Sequence, residues 1–542
     1  MSSPAVRTAL LAAHFSSSSS SANAPSSLDA PQVSPSLAQC SQLELTHLSL
    51  PPFCPPLRVQ PQPPVLVEAS GALRRLVLNR PKALNTINDE VADIIKPALE
   101  KFEASELANI ILIKGNGKHF CAGGDVVSLT KNLEKEETWK KATEFFTKEY
   151  TINHILGTTH KPVVSIMHGV TFGGGVGLTA HGAFRIATES TQIAMPETKI
   201  GLFPDVGANF ILPRLDGQLG LYLGLTSFPL NGAATYLAGL ATHYVPAERL
   251  PALETRLAEL DVSATFDTVN AALNEFAADA DELRQALADY PLVGPVRRAI
   301  DQIFARPTAE DIVADLEKLE EGSLSLKKIV LASDGEVDVS ALQKWAKETR
   351  EAILLRSPTS VKLTIAAVRE GKKLTLDEVL QMDGRIAAGC CSPSIHPDFV
   401  TGVTSLLINK QKPEDQRPSW SPSTLSDVTP DSIHKLFFSS QPPFSNPPLP
   451  TLNFKKSRRA RPLAFGPYKT SPHARFALPT EKDVEKIVKG EDAGSNDYAV
   501  TKEEVLERLT SRWQGKVGVK EKVEEVLRRK TVEDEGKTLR WV

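Results

Sequence analysis

Apolar and polar positions follow two different rhythms between residue 65 and about residue 255. Short apolar runs at 72–81 (ALRRLVLNRP), 108–117 (ANIILIKGNG) and 161–170 (KPVVSIMHGV) predict β-strands, whereas 88–104 (NDEVADIIKPALEKFEA) has the spacing of an amphipathic helix. Strands that alternate with helices favour parallel pairing through crossover helices. The pattern therefore predicts an α/β domain.

Beyond about residue 255 the strand pattern stops. Segments 359–371 (TSVKLTIAAVREG) and 375–389 (TLDEVLQMDGRIAAG) repeat at a helical period, which predicts a helical layer packed against the α/β part. After about residue 412 the composition shifts to proline, serine and charge. We predict four parts in chain order: a targeting and disordered lead-in (1–64), the α/β core (65–255), a helical part (256–440), and a charged, partly disordered extension with terminal helices (441–542).

The first residues have the composition of a targeting segment. They include Arg7, an unbroken serine run from Ser16 to Ser21, and no acidic residue before Asp29. Such a leader is typical of a mitochondrial transit peptide, and a tail without an address is the alternative. The proline-rich stretch 51–64 predicts a semi-rigid, unfolded connection to the first domain.

Composition narrows the function classes. The 542 residues carry a net charge of −3, which argues against a chain that binds polyanions along its whole length. No apolar run is long enough to span a bilayer. The cysteines have no C-x-x-C spacing and predict neither a disulfide framework nor a zinc site; they are Cys40, Cys54, Cys121, Cys390 and Cys391.

The extension combines a basic cluster with a helix start. The cluster, at 455–461, consists of Lys455, Lys456, Arg458, Arg459 and Arg461. Thr501 and Glu504 have the spacing of a helix capping box. We expect this extension to be an appendage outside the core, whose basic cluster either meets RNA phosphates or is a solvated linker.

A glycine run is the first chemical signal. In HGVTFGGGVGLTAHGAF (168–184), a predicted strand leads through Gly173, Gly174 and Gly175 into a predicted helix. Such a turn leaves backbone N–H groups unpaired beside the positive end of a helix dipole. The spacing fits neither a P-loop nor a dinucleotide-binding loop. An oxyanion hole, which needs backbone donors and close approach, is the better interpretation.

A second turn and two acids complete the candidate site. GKHFCAGGDV (117–126) also follows a predicted strand, and by itself it would be a tight loop with Asp125 as a helix cap. Together with the glycine run it predicts the second oxyanion donor. Glu197 and Asp205 lie in a segment without helical or strand regularity, which is typical of a loop at a site.

Several motifs, in order along the chain, carry a resemblance to a known family: NRPKALNTIN, GNGKHFCAGGD, HGVTFGGGVGL, MPETKIGLFPDVGANFILPRL and GLATHYV. The set resembles the crotonase superfamily and, within it, the 3-hydroxyisobutyryl-CoA hydrolases. The resemblance implies a ββα spiral core with a C-terminal helical region. It also implies an acyl-CoA thioester whose carbonyl lies between the N–H groups of Ala122 and Gly174.

The resemblance also implies a reaction. Enoyl-CoA hydratases of this superfamily use two carboxylates, and one of their positions is Gly177 here, which disfavours hydration. The hydrolase positions Glu197, Asp205 and Glu149 are all present. We therefore expect hydrolysis of 3-hydroxyisobutyryl-CoA in valine breakdown, in the mitochondrial matrix, without a metal or a cofactor beyond the CoA of the substrate.

The expected roles follow from the same resemblance. Glu197 acts as nucleophile or as general base, Asp205 orients water or the substrate hydroxyl, and Glu149 helps to bind that hydroxyl. A second function stays open, because fungal members of this family resemble a protein of the mitochondrial small ribosomal subunit, which the basic cluster would suit. An enoyl-CoA hydratase or isomerase is the weaker alternative. The oligomeric state stays open, with a homo-oligomer among the candidates.

Overall fold

The computed structural model describes residues 62–131, 133, 139–331, 334–412, 416–439, 464–493 and 499–542. The predicted transit peptide and the basic cluster at 455–461 lie outside the described residues. The described strands are β1 (Val65–Ser70), β2 (Leu73–Leu78), β3 (Ile110–Gly115), β4 (Val163–Met167), β5 (Val170–Phe172), β6 (Phe184–Ala187), β7 (Gln192–Ala194), β8 (Leu230–Asn231), β9 (His243–Tyr244), β10 (Thr531–Glu533) and β11 (Leu539–Trp541).

The strands form one main sheet and two small ones. The main sheet has the order β1-β2-β3-β4-β6-β9, in which β1 and β2 form an antiparallel hairpin and every later pair is parallel. The second sheet, β5-β7-β8, contains the strand that leads into the glycine run. The third is the hairpin β10-β11 near the C-terminus. The predicted parallel α/β core is confirmed.

Both faces of the main sheet are buried. Side chains alternate across a strand, so β3 sends Ile110 and Leu112 to one face and Ile111 and Ile113 to the other. The first face packs against the helix Leu250–Glu259, which carries Leu253 and Leu257. This explains why 108–117 has a continuous apolar run rather than an alternating one, as expected for a parallel strand covered on both sides.

The described helices surround this sheet and continue beyond it. They are α1 (Asp89–Ala104), α2 (Val126–Thr130), α3 (Trp139–Thr158), α4 (Gly174–Ala180), α5 (Ala208–Ile211), α6 (Leu219–Thr226), α7 (Gly232–Leu237), α8 (Leu250–Glu259), α9 (Phe266–Asn274), α10 (Ala280–Leu287), α11 (Gly294–Ile303), α12 (Ala309–Glu320), α13 (Val339–Leu354), α14 (Pro358–Gly371), α15 (Leu376–Cys391), α16 (Asp398–Val403), α17 (Pro430–Ile433), α18 (Glu481–Val488), α19 (Lys502–Arg512) and α20 (Val519–Lys530). None of these helices is long and apolar enough to cross a membrane.

Helix α1 shows how the sequence specifies these elements. The side chain of Asn88 caps its N-terminus by accepting a hydrogen bond from Val91 N. Its buried residues recur every three or four positions, from Val91 through Ile95 and Leu99 to Phe102, and form one face against the core. Between residues 250 and 439 the described part of the chain contains helices and no strand, as the sequence predicts.

The C-terminal segment, residues 464–542, differs from the predicted appendage. Its helices α18, α19 and α20 bury Val484, Leu509 and Val526 in the same hydrophobic core as the central sheet. The predicted capping box at Thr501 and Glu504 does start α19. The prediction of an appendage was wrong because the many charged residues hide a sparse apolar stripe at helical spacing, which is enough to bury one face of each helix.

Buried ion pairs attach this segment to the helical part. The guanidinium of Arg529, on α20, is 1% exposed and contacts Glu525 (2.8 Å), Glu481 (2.7 Å) and Asp301 (3.2 Å). Asp301 belongs to α11, so this contact joins the C-terminal segment to the rest of the fold. Its carboxyl has a pKa lowered to about 2; burial opposes that shift, but the neighbouring cations, led by Arg297, outweigh it.

Replacement of Arg529 by alanine should destabilise the protein strongly. The change removes the cation that contacts all three buried carboxylates. Lys530 still contacts Glu481 and Asp301, but Glu525 loses its buried partner, and breaking such a pair typically costs about 3–5 kcal/mol of unfolding free energy. The adjacent Arg528 is exposed, so Arg528→Ala should stay within about 0.5 kcal/mol of the natural protein. Urea denaturation of both variants measures the difference. Equal stability of the two variants would contradict this role of Arg529.

Candidate active site

Two glycine-containing turns lie side by side. The turn after β3 is joined to β5 by two backbone hydrogen bonds, in which Cys121 N–H donates to Val170 O (3.0 Å) and Phe172 N–H donates to Cys121 O (2.9 Å). Immediately after β5, Gly173 adopts a φ of 49°, a conformation that favours glycine, and α4 begins at Gly174. The two turns that the sequence singles out are therefore held together by a short, strand-like contact.

The backbone of the first turn leaves one N–H group free. Ala122 N–H donates to Leu84 O at 3.0 Å, and the N–H groups of Gly123 and Asp125 also bond to protein acceptors. Among residues 121–125, the N–H of Gly124 is the one without an acceptor within the described residues. The prediction of Ala122 as an oxyanion donor was therefore wrong, because its N–H is already bonded. Gly124 takes that place.

The second free donor lies next to the first. Gly174 is the first residue of α4, so no carbonyl of its own helix is placed to accept from its N–H. A Cβ atom added to Gly174 would lie 3.3 Å from Gly124 N and would overlap Oε1 of Glu149. Gly174 and Gly124 therefore border one narrow crevice, which the absence of a side chain at Gly174 keeps open.

Three carboxyl groups surround the same crevice. Glu149 lies on α3, Glu197 begins the 3-10 turn Glu197–Ile200, and Asp205 follows in the next loop. All three line a cavity of about 120 Å³ together with Gly124 and Gly174. Each of the three residues is at most 5% exposed. The structure thus brings together Glu149, Gly174, Glu197 and Asp205, as the sequence predicts.

Burial changes the protonation of these acids. It raises the pKa of Glu149 and of Glu197 well above the ordinary value, and the charge of Asp205 raises both further. Within the described residues, Oε1 of Glu149 and Oε2 of Glu197 have no hydrogen-bond partner. The site therefore presents unpaired carboxyl oxygens on acids that keep their protons to higher pH than exposed acids do.

Asp205 is held more firmly than the two glutamates. Its Oδ2 accepts a hydrogen bond of 2.7 Å from the hydroxyl of Tyr150, the residue directly after Glu149 on α3. Burial raises the pKa of Asp205 to about 7, although the bond from Tyr150 acts in the opposite direction. Tyr150 fixes the direction of this carboxyl, a role that the sequence motifs did not reveal.

The loop that carries Asp205 is strained and tied to the helical part. Val206 has a φ of 53°, which is unfavourable for a β-branched residue, and such strain concentrates at functional sites. Asp383 of α15 holds the loop by accepting from Gly207 N–H (2.9 Å) and from the side chain of Asn209 (2.8 Å). The helical part therefore positions a carboxyl of the α/β core.

Comparison with known proteins identifies the family. The sequence profile described as "Enoyl-CoA hydratase/isomerase" matches residues 73–437. The chain belongs to this family. A crystal structure of a carnitinyl-CoA dehydratase from Mycobacterium thermoresistibile is similar, with a TM-score of 0.58 and 30% identity over 73% of this chain and 100% of that one. The resemblance to the crotonase superfamily and the predicted fold class are confirmed.

Two relatives from this family carry different names. The mitochondrial 3-hydroxyisobutyryl-CoA hydrolase of Danio rerio is 39% identical over 377 residues, which is 69% of this chain and 89% of that protein. The small ribosomal subunit protein mS47 of Neurospora crassa is 38% identical over 484 residues, which is 87% of this chain and 86% of that protein. The longer similarity extends beyond the part that the family profile covers.

Gly177 illustrates how the site differs from that of a hydratase. A Cβ atom at this position would lie 2.7 Å from Cβ of Val206 and 2.9 Å from Nδ2 of Asn153. The place of the second hydratase carboxylate is therefore filled by close packing, and a glutamate would not fit without displacing the strained loop. The missing acid is visible in the sequence, whereas this packing depends on Val206 and Asn153 and is visible only in the structure.

The variant Asp205→Asn should move the acidic limb of the pH profile to lower pH. Ionised Asp205 raises the pKa of Glu197, so removing its charge lets Glu197 lose its proton at lower pH. If the reaction needs ionised Glu197, kcat/KM of the variant should fall on acidification at a lower pH than that of the natural protein. This shift is expected even if the maximal kcat/KM of the variant is lower. Asp267→Asn, at an exposed ion pair, is the control. An unmoved limb in Asp205→Asn would refute the coupling.

Proposed function

We propose that this protein hydrolyses the thioester of 3-hydroxyisobutyryl-CoA to 3-hydroxyisobutyrate and CoA. The observation that carries the proposal is the crevice in which two unpaired N–H groups, those of Gly124 and Gly174, face buried carboxyls. A thioester carbonyl gains negative charge on its oxygen when its carbon is attacked. Two backbone donors aimed at that oxygen are the usual means of stabilising this charge.

The two amides act mainly on the transition state. The carbonyl oxygen accepts a hydrogen bond from each amide, and these bonds strengthen as the tetrahedral intermediate forms. Loss of one such donor typically costs about 2.7–4 kcal/mol of activation free energy. The amides are fixed by the contact between Cys121 and β5, so they need little reorganisation during the reaction.

Glu197 is the acid best placed to start the reaction. A Cβ atom added to Gly173 would lie 2.5 Å from its Oε1, so this oxygen lies directly beside the oxyanion crevice. Glu197 either attacks the carbonyl carbon, which forms an anhydride and releases the CoA thiolate, or takes a proton from an attacking water. Both routes need the ionised carboxylate, and the geometry suits either.

The other two carboxyls serve the hydroxyl of the acyl group and the water. The unpaired Oε1 of Glu149 faces the Gly174 side of the cavity and is free to accept a hydrogen bond from the substrate hydroxyl. Asp205, directed by Tyr150, orients water or that hydroxyl. CoA enters as part of the substrate, and the proposal includes no metal or separate cofactor.

The choice of substrate and compartment rests on relatives and on the leader. The relative from Danio rerio is named as a mitochondrial hydrolase of this thioester, and its similarity covers 69% of this chain. The acid-free, serine-rich start of the chain suits import into mitochondria. We therefore place the reaction in the mitochondrial matrix, in valine breakdown.

The variant Glu197→Gln should lose thioester hydrolysis by about 10²–10⁴-fold and keep its fold, because the carboxamide has the same shape but neither attacks nor accepts a proton. Release of CoA thiol from 3-hydroxyisobutyryl-CoA measures the rate, and Glu248→Gln, at an exposed position, is the matched control. Near-normal rates in Glu197→Gln would refute the assigned role.

Isotope labelling of the natural protein tests for an anhydride that water opens at the enzyme carbonyl. A single turnover in ¹⁸O-labelled water places the label on Glu197 if water opens an anhydride at the enzyme carbonyl. It places the label in the product alone if Glu197 acts as a base on water.

A second function is supported by the longer similarity to a ribosomal protein. The relative from Neurospora crassa is named as a small ribosomal subunit protein, and its alignment includes a larger share of this chain than that of the hydrolase. We propose that the protein also assembles with the mitochondrial small ribosomal subunit. The basic cluster at 455–461, which lies outside the described residues, is the candidate contact with rRNA phosphates.

Sedimentation tests this second function. The full-length protein should co-sediment with mitochondrial small subunits, and glutamine at the five basic positions of 455–461 should weaken that association while thioester hydrolysis continues. Binding through phosphates also predicts release at raised salt concentration. A protein that sediments alone at low salt would contradict a ribosomal role and leave the hydrolase proposal standing.

A further inference from the structure

A second cavity lies where the C-terminal segment meets the α/β core. Its volume is about 160 Å³, and it shares no lining residue with the carboxyl site. The core contributes Tyr236 and His243, and the turn between α19 and α20 contributes Gln514 and Lys516. Lys516 lies beyond residue 437, where the family profile ends. The family core therefore supplies one wall of this cavity, and the C-terminal segment supplies the other.

Lys516 and His243 form a close pair in this cavity. Nζ of Lys516 lies 3.3 Å from Nε2 of His243. The ring proton of His243 is on Nδ1, because the Thr242 oxygen beside Nδ1 donates its own proton to Arg185 O and accepts from the ring. Nε2 therefore keeps a lone pair that faces Nζ of Lys516. Nδ1 lies 3.0 Å from Oγ1 of Thr242, whose hydroxyl donates to Arg185 O (3.1 Å). The arrangement is an amine, a base that faces it, and a third group that orients the base.

The surroundings favour the neutral amine. Burial, together with the positive charge of Arg185 on β6, lowers the pKa of Lys516 to about 7. Burial also holds the pKa of His243 well below its ordinary value, so the imidazole is neutral. Within the described residues, no carboxylate forms an ion pair with Lys516. A neutral amine beside a neutral base is a nucleophile without a competing partner.

We propose that Lys516 is a site of covalent acylation by short acyl-CoA thioesters. The amine nitrogen attacks the thioester carbonyl carbon, a C–N bond forms, and the C–S bond breaks. The proton leaves the nitrogen for Nε2 of His243 and passes to the departing CoA thiolate. The products are an amide on Lys516 and free CoA thiol, so the step needs no oxidant or other co-reactant.

The class of electrophile follows from the family, whose substrates are acyl-CoA thioesters. The cavity has room for a short acyl group on the Lys516 side chain. Acylation removes the positive charge of a half-buried lysine, which relieves its repulsion by Arg185. The proposal does not depend on hydrolysis at the carboxyl site, because the two cavities are separate.

The test uses full-length protein with acetyl-CoA as the probe. Peptide mass spectrometry follows acetylation of Lys516 and of Lys520, an exposed lysine on α20 in the same protein. Lys516 should react at least about tenfold faster than Lys520, and Glu197→Gln should show the same ratio. His243→Gln should bring Lys516 down to the rate of Lys520, and Lys516→Arg should remove the label at this position.

The pH dependence of acetylation in the natural protein tests the proposal even if one variant does not fold. Because the amine of Lys516 is mostly neutral above about pH 7, its rate in the natural protein should level off there, whereas the rate at Lys520 should continue to rise with pH. Reaction at Lys516 no faster than at Lys520, or a rate unaffected by His243→Gln in a folded variant, would overturn it.

Discussion

The contact between Cys121 and β5 is the constraint on which the rest of the site depends. Two backbone hydrogen bonds, to Val170 and from Phe172, fix the turn after β3 against the start of α4. Once these turns are adjacent, the free N–H groups of Gly124 and Gly174 border one crevice. A backbone contact of this kind involves no side chain that could change protonation or rotamer, so the donors keep their positions while acids around them gain and lose protons.

The acids of the site oppose the stability of the fold at neutral pH. Burial raises the pKa of Asp205 from its ordinary 3.8 to about 7, so the folded protein retains a proton that the unfolded chain releases. The contribution of this group to stability is therefore greatest below its unfolded pKa and declines as pH rises through the folded pKa. The packing of α3 and α15 around the loop offsets this cost, and Asp383 joins the loop to α15 directly.

Patterns along the chain predicted the strands and helices of the α/β core, because these depend mainly on the spacing of apolar residues within each segment. The continuous apolar run of β3 and the spaced apolar face of α1 required no knowledge of distant residues. Glu197, Asp205 and Gly174 could be predicted because ordered motifs carry them. Gly124 could not be distinguished from Ala122, since the decision depends on whether Leu84 O, nearly forty residues away, occupies one amide. The same limit hid Tyr150, whose role depends on its contact with Asp205 across the fold.

The prediction that the C-terminal segment is an appendage was wrong for a related reason. Charge dominates its composition, yet Val484, Leu509 and Val526 recur where a helix can bury them, and Arg529 finds two of its three carboxylates on other helices. A sequence does not distinguish a buried charged residue from an exposed one, because only the fold shows whether ion-pair partners surround it. The segment is consequently part of the molecular core, and it brings Lys516 to the edge of the central sheet.

The most direct measurement is a crystal structure with an acyl-CoA analogue in which a methylene group replaces the thioester sulfur and the carbonyl is retained. Our account predicts that the carbonyl oxygen lies within about 3 Å of both Gly124 N and Gly174 N, with Glu197 beside the carbonyl carbon. A carbonyl directed away from either amide, or one bound to an Ala122 N–H released from Leu84, would contradict it.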